Sequence, residues 1–223
     1  MRVAGADVWK KKWVVVVLDD GCFSHAFVES GIADAVARLT DCVAIGIDMP
    51  IGLPAPGESR PADPEARRFV GRRSSSVFST PSRAILDCTS AAEANLLARE
   101  CGWPGITSQA FALKDQILAV AELAEVNQRI WEVHPEVSFA EASKAVGAGT
   151  LIWSKSGWNG TAERRLLLER HGIVLPDDLG DAGVAGVADV LDAAIAAWSA
   201  DRIARGTAES IPANAERIGA IWR

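Results

Sequence analysis

Four aspartates interrupt otherwise apolar stretches of the chain: Asp7, Asp48, Asp189 and Asp192. A carboxylate is costly to remove from water unless a basic group or a metal ion compensates its charge. Few basic residues stand near these positions in the sequence, so a metal ion is favoured, and carboxylate oxygens favour Mg²⁺ or Mn²⁺. The four residues are spread over almost the whole sequence. The fold therefore has to bring distant segments together around one group of acids.

Length and composition indicate one compact domain. A chain of 223 residues, 49% of them hydrophobic, can bury a sizeable core. No apolar run reaches the length of about 18 residues that a membrane span needs. The N-terminus lacks a signal-peptide pattern and the four cysteines lack metal-site spacing, so we expect a cytoplasmic protein with reduced thiols. The net charge of −6 argues against a general nucleic-acid coat but allows a local basic groove.

The first fifth of the chain has the pattern of a small sheet. Strands are predicted over residues 2–8, 12–18, 22–28 and 43–47, with a helix over 31–41 before the last of them. The order of three strands, one helix and a fourth strand is the opening of the ribonuclease-H-like fold.

The rest of the chain alternates loops and helices. A loop rich in Pro and Gly covers 49–63, which is long enough to suggest a function. Helices are predicted over 64–73, 84–128 with a break at 102–105, 136–145, 161–171 and 183–205, and strands over 130–133 and 218–222. We therefore predict an α/β protein with a ribonuclease-H-like fold, a single domain over 1–223. It has a mixed five-stranded sheet flanked by helices, and a loop and helical insertion over about 55–128.

The predicted helix 183–205 carries two of the aspartates. Its apolar stripe consists of Val184, Val187, Leu191, Ile195 and Trp198. Asp189 and Asp192 lie off this stripe, on a face that is otherwise made of alanines. Alanines allow another element to approach closely, so we expect both acids to point into a packed cleft. The alternative is an alanine-rich surface helix with two exposed acids.

The other acids stand near strand ends. Asp48 ends a buried strand before a loop, which is where open α/β sheets place their chemistry, although it could also cap the Pro-rich turn. Asp7 is a stronger candidate for a catalytic acid because Asp48 is expected on a neighbouring strand. Glu132, on the strand 130–133, is a candidate metal ligand or base. His134 beside it is either a base or a structural hydrogen-bonding residue.

A basic segment follows the loop. Arginine side chains and serine hydroxyls can bind phosphate groups, but a solvated basic helix has the same composition. We expect a substrate-binding group made of Arg67, Arg72, Arg73, Ser75, Ser76, Arg83, Lys114 and His134. For Lys114 the alternative is an ordinary solvated lysine. The sequence contains no Walker loop, GxGxxG, paired CxxC or GxSxG motif.

Six short motifs occur in order along the chain: Gly5-Ala6-Asp7 with Trp13, Ile47 to Pro54, Gly71 to Phe78 through Pro81 and Arg83, Ser108-Gln109-Ala110, Glu132 to Glu136, and Asp189 to Ala193. Together they resemble the DUF429 family, described as predicted ribonuclease-H-like nucleases. The resemblance implies catalytic acids at Asp7, Asp48 and Asp192, helped by Asp189. The Asp-x-x-Asp-Ala spacing is also similar to the last catalytic helix of RuvC-type resolvases. Val8-Trp9 departs from the Gly-Cys pair that often follows the family's first aspartate.

The leading hypothesis is a Mg²⁺- or Mn²⁺-dependent phosphodiesterase that acts on nucleic acid. Asp7, Asp48 and Asp192 would hold the metal, with Asp189 and Glu132 as auxiliary ligands or proton carriers. One alternative is phosphoryl transfer or hydrolysis on a nucleotide or other small phosphorylated metabolite. Another is a non-catalytic binding module on the same fold.

Overall fold

The computed structural model describes all residues, 1–223, and has a five-stranded sheet at its centre. The strands are β1 (Arg2–Trp9), β2 (Lys12–Asp19), β3 (Cys22–Glu29), β4 (Cys42–Ile47) and β5 (Ile130–Glu132). Their order in the sheet is β3-β2-β1-β4-β5. The first three strands form an antiparallel meander, and β4 and β5 are added in parallel to β1. The predicted α/β class and mixed five-stranded sheet are confirmed.

Helices cover both faces of the sheet. They are α1 (Ile32–Arg38), α2 (Ala62–Val70), α3 (Arg83–Leu86), α4 (Ala91–Glu100), α5 (Ser108–Ala112), α6 (Lys114–Val126), α7 (Pro135–Ala145), α8 (Trp158–Arg170) and α9 (Val187–Ala204). Short 3₁₀ helices occupy Gly71–Ser76 and Gly180–Val184. A two-stranded sheet of β6 (Ser210–Ile211) and β7 (Ile221–Trp222) completes the chain. None of the helices combines the length and apolar character needed to span a bilayer.

The central strands are buried on both faces, which explains their nearly continuous apolar runs. Val15 and Val17 of β2 pack in the core formed with α1 and α6. Val14 and Val16 pack on the other face, in the core formed with α7, α8 and α9. Alternate side chains of a strand point to opposite faces, so both layers are supplied by the same β-branched run.

Helix α9 lies against the middle of the sheet at backbone contact distance. A Cβ atom added at Gly5 would overlap the carbonyl oxygen of Ala193 and the amide nitrogen of Ala197. One added at Gly46 would lie 2.6 Å from the carbonyl oxygen of Ala196. The alanines of this helix do allow close approach, as predicted. The alternative of an alanine-rich surface helix is wrong, because the helix is buried from Val190 to Ala200.

The start of this helix differs from the prediction. It begins at Val187, and the preceding Gly180–Val184 is a 3₁₀ turn. Val184 and Val187, which the predicted apolar stripe included, are 65% and 61% exposed. Gly183 and Gly186 interrupt the helical pattern there, and glycine favours helix ends over helix interiors. The stripe is buried only from Leu191 onwards.

Other boundaries differ for similar local reasons. Helix α2 ends at Val70 because Gly71 has a left-handed backbone with φ of 56°. Asp63, which lies just outside the predicted helix 64–73, is buried in the first turn of α2. Thr107 caps α5 by accepting a hydrogen bond from the amide of Ala110. Strand β6 was not predicted, since two residues carry no periodicity.

The close contact of α9 with the sheet gives a stability test. We expect Gly5→Ala to unfold the protein, or to destabilise it by more than the ~1–3 kcal/mol usual for overpacking, because backbone atoms would have to move. Gly183→Ala is the control, because a Cβ atom at Gly183 would have no neighbouring atom within 4 Å and the backbone there is not left-handed. Urea unfolding of both variants measures the difference. Equal stability of the two would contradict the contact.

Candidate functional site

A cleft of about 370 Å³ opens at the carboxyl ends of three parallel strands. Asp7 lies near the end of β1, Asp48 directly follows β4, and His134 comes two residues after β5. These three residues line the cleft with Asp189 at the start of α9 and Lys155 from the segment between α7 and α8.

Strand pairing explains why Asp7 and Asp48 are neighbours. Ala6 pairs with Ile47, and the amide of Asp48 donates a hydrogen bond of 3.1 Å to the carbonyl of Ala6. Gly5 faces α9, and so does the side chain of Asp7, two residues further along the strand. The same alternation takes Asp48, two residues after Gly46, to that face.

Helix α9 brings the remaining two aspartates to the same place. Gly5 lies against Ala193, whereas Trp9 lies near Gly186, so the helix runs opposite to β1. Asp189 and Asp192 therefore fall level with the carboxyl end of that strand. Asp192 is 1% exposed, and Asp189 is half-buried. The structure thus brings the four predicted aspartates together.

The electrostatics agree with a crowded group of acids. Burial raises the pKa of Asp7 well above its ordinary value, and the charges of Asp48 and Asp192 raise it further. Burial raises the pKa of Asp48 to about 7 and that of Asp192 to about 6. Burial also raises the pKa of Asp189. Each carboxylate therefore lacks the solvation that would keep it charged.

Lys155 supplies the positive charge within this group. Its Nζ lies 2.5 Å from Oδ2 of Asp192, and the lysine lowers the pKa of all four aspartates. Burial lowers the pKa of Lys155, but Asp192, Asp48 and Asp7 together outweigh that effect and raise it. Sequence analysis missed this residue, because a lysine in an irregular segment has no periodicity or motif that marks it.

The donor set suits a hard divalent cation in its chemistry. It consists of carboxylate oxygens, and the side chain of Asp48 is bound by no hydrogen bond or ion pair from the protein. The amide of Val8 donates to Oδ1 of Asp7 over 2.7 Å, which leaves the second oxygen of Asp7 available. No three His, Cys, Asp or Glu side chains are already arranged as a metal site. The acids fit Mg²⁺ or Mn²⁺ by type, and Lys155 holds one of their oxygens.

Glu132 lines the cleft but belongs to a different network. Arg60 donates to both of its carboxylate oxygens over 2.6 Å, and the amide of Ile51 donates to Oε2 over 2.5 Å. Arg60 also pairs with Asp63 at 2.9 Å, and Asp63 accepts from the amide of Thr80. The side chains of Arg60, Asp63 and Glu132 are each at most 5% exposed. We therefore leave Glu132 out of the metal ligands and assign it to anchoring the loop after β4; Arg60 had no sequence signal.

Only part of the predicted substrate-binding group reaches the cleft. Ser76 and His134 line it, and Nε2 of His134 lies 3.3 Å from the carbonyl of Ser76. Burial lowers the pKa of His134, so its ring is neutral at physiological pH. Nδ1 of the ring is buried and has no partner.

The remaining members lie elsewhere. Arg67 donates to the carbonyl of Val77 and to Ser79, which fixes the loop that follows α2. Lys114 donates a hydrogen bond to the backbone carbonyl of Cys88, and Arg83 forms an exposed ion pair with Glu122. Ser75 is exposed and does not line the cleft. Arg72 and Arg73 line a second cavity of about 790 Å³. The structure thus divides the predicted group, and two arginines in a cavity of their own remain candidates for phosphate binding.

Comparison with known proteins identifies a family. Residues 5–217 match the model of a family described as "Protein of unknown function (DUF429)", which confirms the resemblance found in the sequence. The match includes all four aspartates and Lys155. No curated protein and no solved structure matches the chain.

The assignment of Glu132 can be tested by replacement with an uncharged isostere. We expect Glu132→Gln to destabilise the protein by about 3 kcal/mol, the lower limit for a broken buried pair, because Asp63 still compensates Arg60. Any stabilisation by Mn²⁺ should be as large as in the wild type. Glu122→Gln, in an exposed pair, should cost under about 1 kcal/mol. Urea unfolding with and without Mn²⁺ provides the measurement. If Glu132→Gln has wild-type stability but is no longer stabilised by Mn²⁺, Glu132 is a metal ligand instead.

The raised pKa values predict how stability depends on pH in metal-free buffer. Between pH 4 and about 7 the folded state binds more protons at Asp48 and Asp192 than the unfolded chain does. The free energy of unfolding should therefore fall as the pH rises through this range, by up to ~1.4 kcal/mol per pH unit for each group. His134, with its lowered pKa, contributes in the opposite direction.

Comparison with a variant isolates the contribution of Asp48. Asp48→Asn should make the fall between pH 5 and 7 shallower, while the exposed Asp115→Asn should leave it unchanged. Urea unfolding at a series of pH values, with a chelator present, gives the slopes. Identical slopes in wild type and Asp48→Asn would show that the pKa of Asp48 is not raised.

Proposed function

We propose that this chain, which belongs to the DUF429 family, is a Mg²⁺- or Mn²⁺-dependent phosphodiesterase acting on nucleic acid. The observation that carries the proposal is the convergence of four aspartates from distant parts of the chain: Asp7, Asp48 and Asp189 line one cleft, and Asp192 is buried beside them. Asp7 and Asp192 are buried, and Asp48 and Asp189 are half-buried. Removing this many acids from water destabilises a fold and is typical of a functional site. A group of carboxylates at the ends of parallel strands is where metal-assisted chemistry on phosphates is expected.

The element order supports a ribonuclease-H-like fold for this family. A three-stranded meander, a helix and a parallel fourth strand open the chain, as that fold requires. The helix that carries Asp189 and Asp192 crosses the same sheet. We retain this fold, and the cytoplasmic location, as predictions.

Asp7, Asp48 and Asp192 would hold the metal, with Asp189 as an auxiliary ligand. When bound, the metal ion supplies a Lewis acid that activates water and stabilises charge on phosphate oxygens. Asp48 contributes the carboxylate with no protein partner. Lys155 places an ammonium group beside Asp192, where it can bind a phosphate oxygen. The loop fixed by Arg60 and Glu132 forms one wall of the cleft.

Two other functions are each favoured by one observation. We call the cleft lined by Asp7, Asp48 and Asp189 the acidic cleft. Its volume of about 370 Å³ is enough for a whole nucleotide or small phosphorylated metabolite. The ion pair between Lys155 and Asp192 partly neutralises the acids without a metal, which favours a binding module. Both alternatives keep the same cleft and differ in what it does to the ligand.

Activity assays on two aspartate variants test the proposal. We expect Mn²⁺-dependent cleavage of a labelled single-stranded oligonucleotide and of bis(p-nitrophenyl) phosphate. Asp48→Asn and Asp192→Asn should each lower the rate by about 10²–10³-fold, the usual effect of removing one charge-stabilising group. Asp115→Asn, which changes an exposed acid on α6, should retain full activity.

The binding-module alternative gives a different result. In that case no hydrolysis is seen with any metal, although the folded protein still binds its ligand. Hydrolysis that persists in chelator, or in both aspartate variants, would remove the metal from the mechanism. Circular dichroism of each variant ensures that a fall in activity is not caused by unfolding.

A further inference from the structure

A second cavity lies next to the acidic cleft and carries the opposite charge. Its volume of about 790 Å³ is within the range of ~300–1,000 Å³ that ligand sites occupy. It lies between the end of α2, the exposed side of α7 and the segment 149–152. We call it the basic cavity, since its charged lining consists of Arg72, Arg73, Lys144 and Glu136.

The one acid in the basic cavity is already neutralised. Both carboxylate oxygens of Glu136 accept hydrogen bonds from Arg164, at 2.8 and 3.0 Å, and Arg164 is fully buried. Arg72 is exposed and makes no hydrogen bond or ion pair, and Arg73 donates only to the carbonyl of Trp153. Lys144 lies 4.8 Å from the ring of Phe69 and has only a long, 3.9 Å approach to Glu141. The cavity is therefore positively charged on a chain whose net charge is −6.

The basic cavity and the acidic cleft share their walls. Glu136 lines both of them. The 3₁₀ helix Gly71–Ser76 has Arg72 and Arg73 in the basic cavity and Ser76 in the acidic cleft. The segment between α7 and α8 continues from Ile152 in one to Lys155 in the other. The two cavities are therefore adjacent.

The same segment exposes aromatic rings. Trp153 is 49% exposed, and Trp158, the first residue of α8, is 88% exposed. The segment is held in place, because Glu163 accepts from the amides of Ile152 and Trp153 and Arg164 donates to the carbonyl of Trp153. Exposed tryptophans on a fixed backbone can stack with unpaired bases, whereas the bases of a duplex are already stacked.

We propose that the basic cavity binds the backbone of a single-stranded nucleic acid, next to the phosphodiester in the acidic cleft. Arg72, Arg73 and Lys144 bind phosphates, and Trp153 and Trp158 stack with bases. The position of the cleaved bond rests on the proposed function, but binding to the cavity does not. A mononucleotide fills the acidic cleft alone and leaves these five residues without a role.

Binding without metal tests the inference independently of hydrolysis. Fluorescence anisotropy of a labelled oligothymidylate is measured in EDTA over a range of salt concentrations, with wild type and variants. The double variant Arg72→Ala/Arg73→Ala should bind at least about tenfold more weakly. Its plot of log affinity against log salt should be shallower by ~0.7 for each phosphate that the variant no longer neutralises.

Matched variants separate phosphate binding from stacking. Trp158→Ala should weaken binding roughly tenfold without changing the salt slope, because stacking involves no counterion release. Arg68→Ala is the control: Arg68 is exposed on α2, donates only to the carbonyl of Pro64 within that helix, and lines neither cavity. It should bind like the wild type.

Three results would overturn the inference. Equal reductions in affinity in Arg68→Ala and the double arginine variant would show that binding depends only on the overall positive charge and not on the basic cavity. Duplex DNA that binds as tightly as the single strand, with no effect of Trp158→Ala, would exclude stacking. Full competition by thymidine monophosphate at equal concentration would favour the small-metabolite alternative.

The outcome is also distinct from that of the proposed function. An oligonucleotide that binds as expected but is never cleaved would end the nuclease proposal and leave the basic cavity as a binding site. Cleavage of bis(p-nitrophenyl) phosphate without oligonucleotide binding would do the reverse. Thermal melting of each variant confirms that it is folded, and all four substituted side chains are at least partly exposed.

Discussion

Helix α9 approaches β1 and β4 so closely that only a hydrogen atom fits at Gly5 and little more at Gly46. That contact fixes the position of the helix along the strands. Asp192, which directly precedes Ala193 in this contact, is thereby held at the carboxyl ends of the strands that carry Asp7 and Asp48. The small residues that make the helix pack so closely are therefore also the residues that assemble the acids. Packing and site geometry cannot be varied independently here.

Charge compensation divides the buried acids into two groups. Glu132, Asp63 and Glu136 have arginine partners with several hydrogen bonds each, which is the arrangement that makes buried ion pairs tolerable. The aspartates of the cleft share only Lys155, and Asp48 has no direct partner. The first group holds loops and helices in place. The second group lacks such partners and has raised pKa values, and perturbed pKa values are typical of groups that act on a ligand.

Sequence patterns predicted the sheet and the convergence of the aspartates because both depend on local regularities: β-branched runs, strand ends and an alanine-rich helix. They did not find Lys155 or Arg60, whose roles depend on partners 37 and 72 residues away. They also made Glu132 a candidate auxiliary ligand or proton carrier, since nothing local reveals that an arginine binds it. The valines at 184 and 187 look like part of an apolar stripe, yet the helix begins only at Val187, after Gly186, and both side chains are exposed.

The segment between α7 and α8 contributes only the half-buried Leu151 to the core beneath it. Substitutions of its exposed side chains cost little folding stability, whereas a single methyl group at Gly5 is forbidden by backbone atoms. Among descendants of one ancestral protein, this segment can therefore diverge quickly while the acids stay where they are. The preference for a ligand would then change faster than the reaction that the aspartates carry out. One restriction applies: any change in the length of the segment has to keep Lys155 within reach of Asp192.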